Sequence, residues 1–260
     1  MSYTDHVLLP GAHHIEDHMG VCFTLIAGRE RALLVDAGYG FEDAAVYVAA
    51  LTPLPVTLWL THGHHDHALG ARWFDAVRLH PAERAVYAKY TAEPWSGRVL
   101  TQAREAGIAV DEAAWRRRTM PVPTTLDGEA LDLGGITARV LSCPGHTPGS
   151  VVVHVPELEL LLTGDDWNPC TWLFFPEALP VRRYREHLRA LLDLPFEHVI
   201  CPHRTGLYPR SMLERFLEGL TDDAIAAAPV SDVGAAYGVN TCAVELPGEQ
   251  VLVFDADKAR

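Results

Sequence analysis

Short β-rich apolar runs alternate with stretches of helical period along most of this chain. Residues 21–27 and 32–36 read as two strands joined by the polar turn Gly28-Arg-Glu-Arg31. Asp36-Ala-Gly-Tyr-Gly40 breaks that run. Phe41, Ala44, Ala45, Val48 and Leu51 then mark one face of a helix over 41–51. Pro53 and Pro55 stop it, and Val56-Thr-Leu-Trp-Leu-Thr61 predicts a buried strand. Residues 81–118 read as helical and more charged, with a break at Pro94-Trp95-Ser96-Gly97. Strands are predicted at 136–141, 150–155, 158–163 and 198–201. A helix over 181–192 places Tyr184, Leu188, Leu191 and Leu192 on one face, and a second helix covers 209–226. Residues 241–246 and 250–254 form a closing hairpin across Pro247-Gly248. With no linker, repeat or compositional break, residues 1–260 read as a single domain of mixed α and β, not a doubly wound parallel sheet.

Composition narrows the partners. An apolar fraction of 48% with 21% charged residues is an ordinary globular mixture and excludes disorder. Lys+Arg 21 against Asp+Glu 34 gives a net charge of −13, a field that repels phosphate backbones and anionic lipid. Neither nucleic acid nor a membrane is therefore an expected partner. Residues 1–6 lack the basic and apolar regions of a secretory signal, and no apolar run approaches the roughly 18 residues of a membrane span. The expectation is a cytoplasmic protein. The 5 cysteines include no C-x-x-C pair and read as reduced thiols, not as a disulfide framework or zinc finger. The 14 histidines do change the picture, because imidazole is the commonest metal ligand.

His62, His64, Asp66 and His67 crowd the end of the strand predicted over 56–61. His62 and His64, two apart, project to one side, while Asp66 and His67 can serve a second position where the chain enters a helix. Imidazoles with one carboxylate suit zinc or iron. Thr61-His-Gly-His-His-Asp-His67 resembles the T-H-x-H-x-D-H signature of the metallo-β-lactamase-fold superfamily. Leu33-Leu-Val-Asp36-Ala-Gly38, Pro144-Gly-His146-Thr-Pro-Gly149, Leu161-Leu-Thr-Gly-Asp165 and Cys201-Pro-His203 look like that family's further motifs, in the same order. The resemblance covers about residues 20 to 205. It implies the four-layer αββα sandwich, two mixed sheets face to face with helices outside. It also implies a two-metal centre: His62, His64 and His146 on one ion, Asp66, His67 and His203 on the other, and Asp165 bridging. The last motif departs from the family's Gly-His-Gly or Gly-His-Glu, so His203 is either a ligand or a substrate-contacting or supporting residue.

The implied activity is hydrolysis of a small-molecule carbonyl substrate (thioester, lactone or ester) by water activated between two zinc ions, with iron or manganese as other possible metals. Asp66 would orient that water and carry its proton. A bridging Asp165 resembles the glyoxalase II, lactonase and phosphodiesterase branches more than true class B β-lactamases. Alternatives are a mononuclear iron sulfur dioxygenase or a phosphodiesterase acting on a small phosphate ester. After Asp165 the chain is rich in rings, and Trp167, Trp172, Phe174 and Phe175 read either as a substrate pocket or as packing beneath a surface loop. His13, His14 and His18 are expected in a loop. Arg182, Arg183, Arg185 and Arg189 give one helix a cationic side, either solvated or a clamp for an anionic handle such as coenzyme A.

Overall fold

The computed structural model describes residues 3–259; Met1, Ser2 and Arg260, within the expected domain limits, lie outside the described residues. The first sheet runs in chain order through Thr4–Leu9, Ala12–Glu16, Cys22–Ala27, Ala32–Val35, Val56–Trp59, Arg78–Leu79 and Thr124–Thr125. Its first four strands are antiparallel, and those from Ala32–Val35 onward are parallel. The second sheet has the order Tyr208–Pro209, His198–Ile200, Leu160–Leu162, Val151–Val155, Thr137–Ser142, Ala130–Asp132.

Period-two alternation sorts the apolar side chains into layers. Leu33 and Val35 join Ile26 and Trp59 against Val151, Val153, Val155 and Leu162, forming the core between the sheets. Leu34, Leu25 and Leu58 face the other way, onto Ala44 and Val48 of helix Ala44–Leu51. On the second sheet, Val152, Leu161 and Val199 face outward onto helices Val181–Ala190 and Arg210–Gly219 through Tyr184, Leu188, Leu213 and Phe216. Both faces of each sheet are covered, so Val151–Val155 is buried at every position. Helix, sheet, sheet and helix stack as expected.

A third sheet was not expected. Cys170–Leu173, read from sequence as part of an aromatic loop, is a strand parallel to Gln250–Asp255, which continues into Thr241–Leu246 and Val230–Ser231. Its partner lies some eighty residues downstream, beyond what a local pattern registers. The strands Thr4–Leu9 and Ala12–Glu16 were also unanticipated, because histidines and acids mask their alternation. His13 and His14 therefore sit on a strand, not in a loop.

Capping resolves the remaining differences. Asp43 accepts from the Val46 N–H, so the first helix starts at Ala44 and not at Phe41. The predicted helix over 209–226 is two helices, since the Thr221 hydroxyl accepts from the Ala224 N–H and opens Asp222–Ala226. Trp95 begins helix Trp95–Glu105, and the break lies just before it. All five cysteines are free, and among the described residues no helix is long and apolar enough to cross a membrane.

Leu33 is fully buried between the sheets, whereas Val7 is 62% exposed on the edge strand. Urea unfolding should show Leu33→Ala losing about 2–5 kcal/mol, with Val7→Ala within about 0.5 kcal/mol of the parent.

Candidate metal centre

The site is built where strands of both main sheets end. Asp36 follows Ala32–Val35 and adopts φ 64°, a conformation disfavoured for a side-chain-bearing residue. That turn aims its carboxylate at the neighbouring strand end. There it accepts from the Thr61 N–H at 2.7 Å, the Thr61 hydroxyl at 2.8 Å and His67 Nδ1–H at 2.9 Å. With Nδ1–H committed, His67 presents its Nε2 lone pair elsewhere. His62 places Nδ1 3.0 Å from the Thr61 hydroxyl, and His146 donates from Nδ1 to the Trp172 carbonyl at 2.7 Å. Each contact leaves Nε2 free to ligate. Gly164 has φ 53° and lies so close to Thr61 that a Cβ would fall 2.8 Å from the threonine's own, so the turn carrying Asp165 requires glycine there.

Two clusters result. His62, His64 and His146 form one, and Asp66, His67, Asp165 and His203 the other; within each, the candidate ligand atoms lie within 4.8 Å of one another. Asp165 faces both. One oxygen is 3.5 Å from His146 Nε2 and 4.0 Å from His62 Nε2, the other is 3.4 Å from His67 Nε2, and His203 Nε2 lies 3.1 Å from both. Asp66 lies 3.5 Å from His67 Nε2 and 3.8 Å from His203 Nε2. The residues fit a pair of cations: His62 Nε2, His64 Nε2 and His67 Nε2 are buried without hydrogen-bond partners, and two imidazole nitrogens, His64 Nδ1 and His146 Nε2, converge to 2.9 Å.

The charge states divide along the same two clusters. Burial first, then neighbouring histidines, hold His62 and His64 well below the usual imidazole range, and burial likewise lowers His146, keeping all three in the neutral, ligating form. Burial alone would neutralise Asp165, but His203 and His67 outweigh it and keep the carboxylate ionised. Asp66 is held ionised against its own burial by His67 and His65. In the same exchange burial works to lower His67 and His203, and the facing carboxylates, Asp165 foremost, raise them instead.

Two supporting residues, Glu83 and Asp166, escaped the sequence reading, and a third, His14, was expected only in a loop. Glu83, fully buried at the start of helix Arg84–Thr91, accepts from the Gly63 N–H at 2.8 Å and the Gly149 N–H at 2.7 Å, tying the His62–His64 turn to the His146 loop. Asp166 accepts from the His146 N–H at 3.0 Å. His14 contacts the Thr24 hydroxyl through Nδ1 and donates from Nε2 to the Arg204 carbonyl at 2.8 Å, bracing the turn that carries His203. Burial lowers His14 to about 4, so it acts as a neutral donor. No spacing rule links these residues to the ligands.

A cavity of about 430 Å³ opens over Asp66, Asp165, His64, His146 and His203. Trp172 and Phe175 line it, but the same expectation for Trp167 and Phe174 is corrected: both are fully buried in the core. Trp167 donates to Gln250, and alternation along Cys170–Leu173 turns Trp172 towards the cavity while the chain beyond buries Phe174. The arginine clamp is not at this cavity either. Arg185 binds the Leu220 carbonyl and Asp222, Arg189 the Leu217 carbonyl, and Arg182 and Arg183 pair with Glu186.

Metal titration with chelator competition should find Asp165→Asn binding its second equivalent about 10–100-fold more weakly, because a neutral amide cannot compensate two cations. Glu83→Ala strands two buried N–H groups, about 1–3 kcal/mol each, and should lower the thermal midpoint and weaken the first equivalent as well.

The chain is 27% identical over 242 residues to the acyl-coenzyme A thioesterase MBLAC2 of Gallus gallus, covering 85% of this chain and 82% of that protein. It is 31% identical over 182 residues to a hydroxyacylglutathione hydrolase of Cereibacter sphaeroides, covering 65% of this chain and 59% of the other. The solved structure of TTHA1623 in a di-iron-bound form superposes with a TM-score of 0.55 at 26% identity, over 75% of this chain and 92% of that one. Residues 19–203, which carry every member of both clusters, match the metallo-beta-lactamase superfamily, and the chain belongs to that superfamily of metal-dependent hydrolases.

Proposed function

We propose that the chain hydrolyses a small-molecule thioester at a two-metal centre. The observation that carries this reading is Asp165, whose two oxygens face the two ligand clusters on the floor of a ring-lined cavity. Both curated relatives act, by their names, on acyl compounds of a thiol, acyl-coenzyme A and hydroxyacylglutathione. The imidazole-rich donor sets favour zinc, and the carboxylates of the second cluster would also accept iron or manganese.

His62, His64 and His146 would hold one ion, Asp66, His67 and His203 the other, and Asp165 both. Bound there, the cations supply Lewis acidity towards the carbonyl and make water acidic enough to act at neutral pH. Asp66 is ionised, lines the cavity and reaches the second cluster. It is placed to accept the proton of the attacking water and return it to the departing thiolate. Trp172 and Phe175 hold the acyl portion and exclude water around it. Ester or lactone cleavage uses the same groups with an oxygen leaving atom.

The screen that tests this pairs thioesters, lactones, β-lactams and phosphodiesters with measured metal content, plus an oxygen electrode with a persulfide. Thioester turnover is the expected result. Phosphodiester cleavage alone, or oxygen uptake with one iron, would replace the proposal. Asp66→Asn should weaken the second metal equivalent and, with metal restored to saturation, still lose about 10²–10⁴-fold in kcat with a smaller change in KM.

A further inference from the structure

We propose that the acyl group received by this cavity is aromatic, so that the substrate is an aryl or arylalkyl acyl thioester and not one with a linear aliphatic chain. The inference rests on the thioester reading above and specifies its substrate. Six rings line the cavity, Tyr39, Tyr90, Trp95, Trp172, Phe175 and Tyr237, against only two larger aliphatic side chains, Met19 and Val21. Rings packed edge-to-face or tilted present flat faces and polarised edges, which give another ring a geometric preference beyond area burial that a polymethylene chain lacks.

The rings are also ordered. Two aromatic runs start at His64: Tyr90 lies 4.6 Å from its ring centroid and continues to Trp95 at 4.8 Å, while Phe175 lies 5.2 Å away and continues to Tyr237 at 5.4 Å. Phe175 also meets the His146 ring at 5.9 Å, and Trp172 meets Tyr237 at 6.0 Å. A carbonyl held at His64 and His146 would therefore have a ring beside its acyl substituent from the first carbon outward. Among the described residues, the lining holds no Lys or Arg except Arg204 and no carboxylates except Asp66 and Asp165, so an uncharged acyl group is matched.

Tyr237 closes the argument. It is 47% exposed although its ring packs on Trp172, Phe174 and Phe175, and it is the terminal residue of the turn Ala235–Tyr237 beside the third sheet. It lies beyond the 19–203 stretch that matches the superfamily, so the outer end of this aromatic run belongs to a segment outside the matched catalytic core. Hydrolysis itself is unchanged: water's oxygen bonds to the acyl carbon, the carbon–sulfur bond breaks, and the thiolate takes a proton, giving an aryl carboxylic acid and a thiol.

The test uses metal-loaded full-length protein and acyl thioesters of one thiol, N-acetylcysteamine, carrying hexanoyl, decanoyl, benzoyl or phenylacetyl groups. Benzoyl or phenylacetyl thioester should exceed hexanoyl in kcat/KM by about tenfold or more. Tyr237→Ala should erase most of that ratio through KM, and Tyr237→Phe should keep it. Equal or better use of hexanoyl and decanoyl, or a ratio untouched in Tyr237→Ala, overturns the aromatic assignment and leaves the thioesterase reading standing. If no thioester is cleaved, that reading fails instead. Calorimetric binding of phenylacetate against hexanoate then decides the subsite: tighter phenylacetate supports it, and equal binding overturns it.

Discussion

Asp165 is a carboxylate buried at the meeting of two sheets, and the surrounding structure answers its demand for positive charge. An ionised carboxylate out of water is costly unless cations or donors surround it. Here one oxygen faces His62 and His146, the other faces His67, and His203 reaches both. Its turn is possible only because Gly164 presses against Thr61, which also anchors Asp36 and touches His62. One backbone constraint thus positions Asp165, Asp36 and His62 together.

Precision at such a site comes from what holds the ligands. Asp36, Glu83, Asp166 and His14 each spend buried polar capacity on the backbone or the far nitrogen of a ligand-bearing segment. Backbone N–H acceptors fix where a loop runs, and imidazole partners fix which nitrogen is free. The His146 loop shows both: Asp166 and Glu83 hold its backbone on either side of the ligand, and the Trp172 carbonyl sets the tautomer.

That Trp172 contact also joins the metal centre to the third sheet. The strand supplying the carbonyl carries the Trp172 ring into the cavity and pairs with Gln250–Asp255. The C-terminal hairpin therefore supports the cavity wall as well as closing the core through Leu252 and Phe254. Stability and the shape of the cavity share this element.

Much of the ligand chemistry was legible in order along the chain. His62, His64, Asp66 and His67 stand within six residues, and their types suit metal ligation. His146, Asp165 and His203 were legible only as motifs in sequence order; folding places them against that first group because each follows a strand ending at the same edge. The layers were legible only through the family resemblance, because Leu33, Leu34 and Val35 are all apolar and only the structure sorts them between two cores. What sequence hid was non-local. Glu83 hydrogen-bonds across 20 and 66 residues, Cys170–Leu173 pairs with a strand near the end of the chain, and Tyr237 reaches the cavity from beyond the matched region. Local pattern determines which residues can ligate and which segments are apolar strands. Which distant backbone a carboxylate holds, and whether Trp167 or Trp172 turns towards the cavity, depends on strand pairing and packing that exist only once the chain has closed on itself.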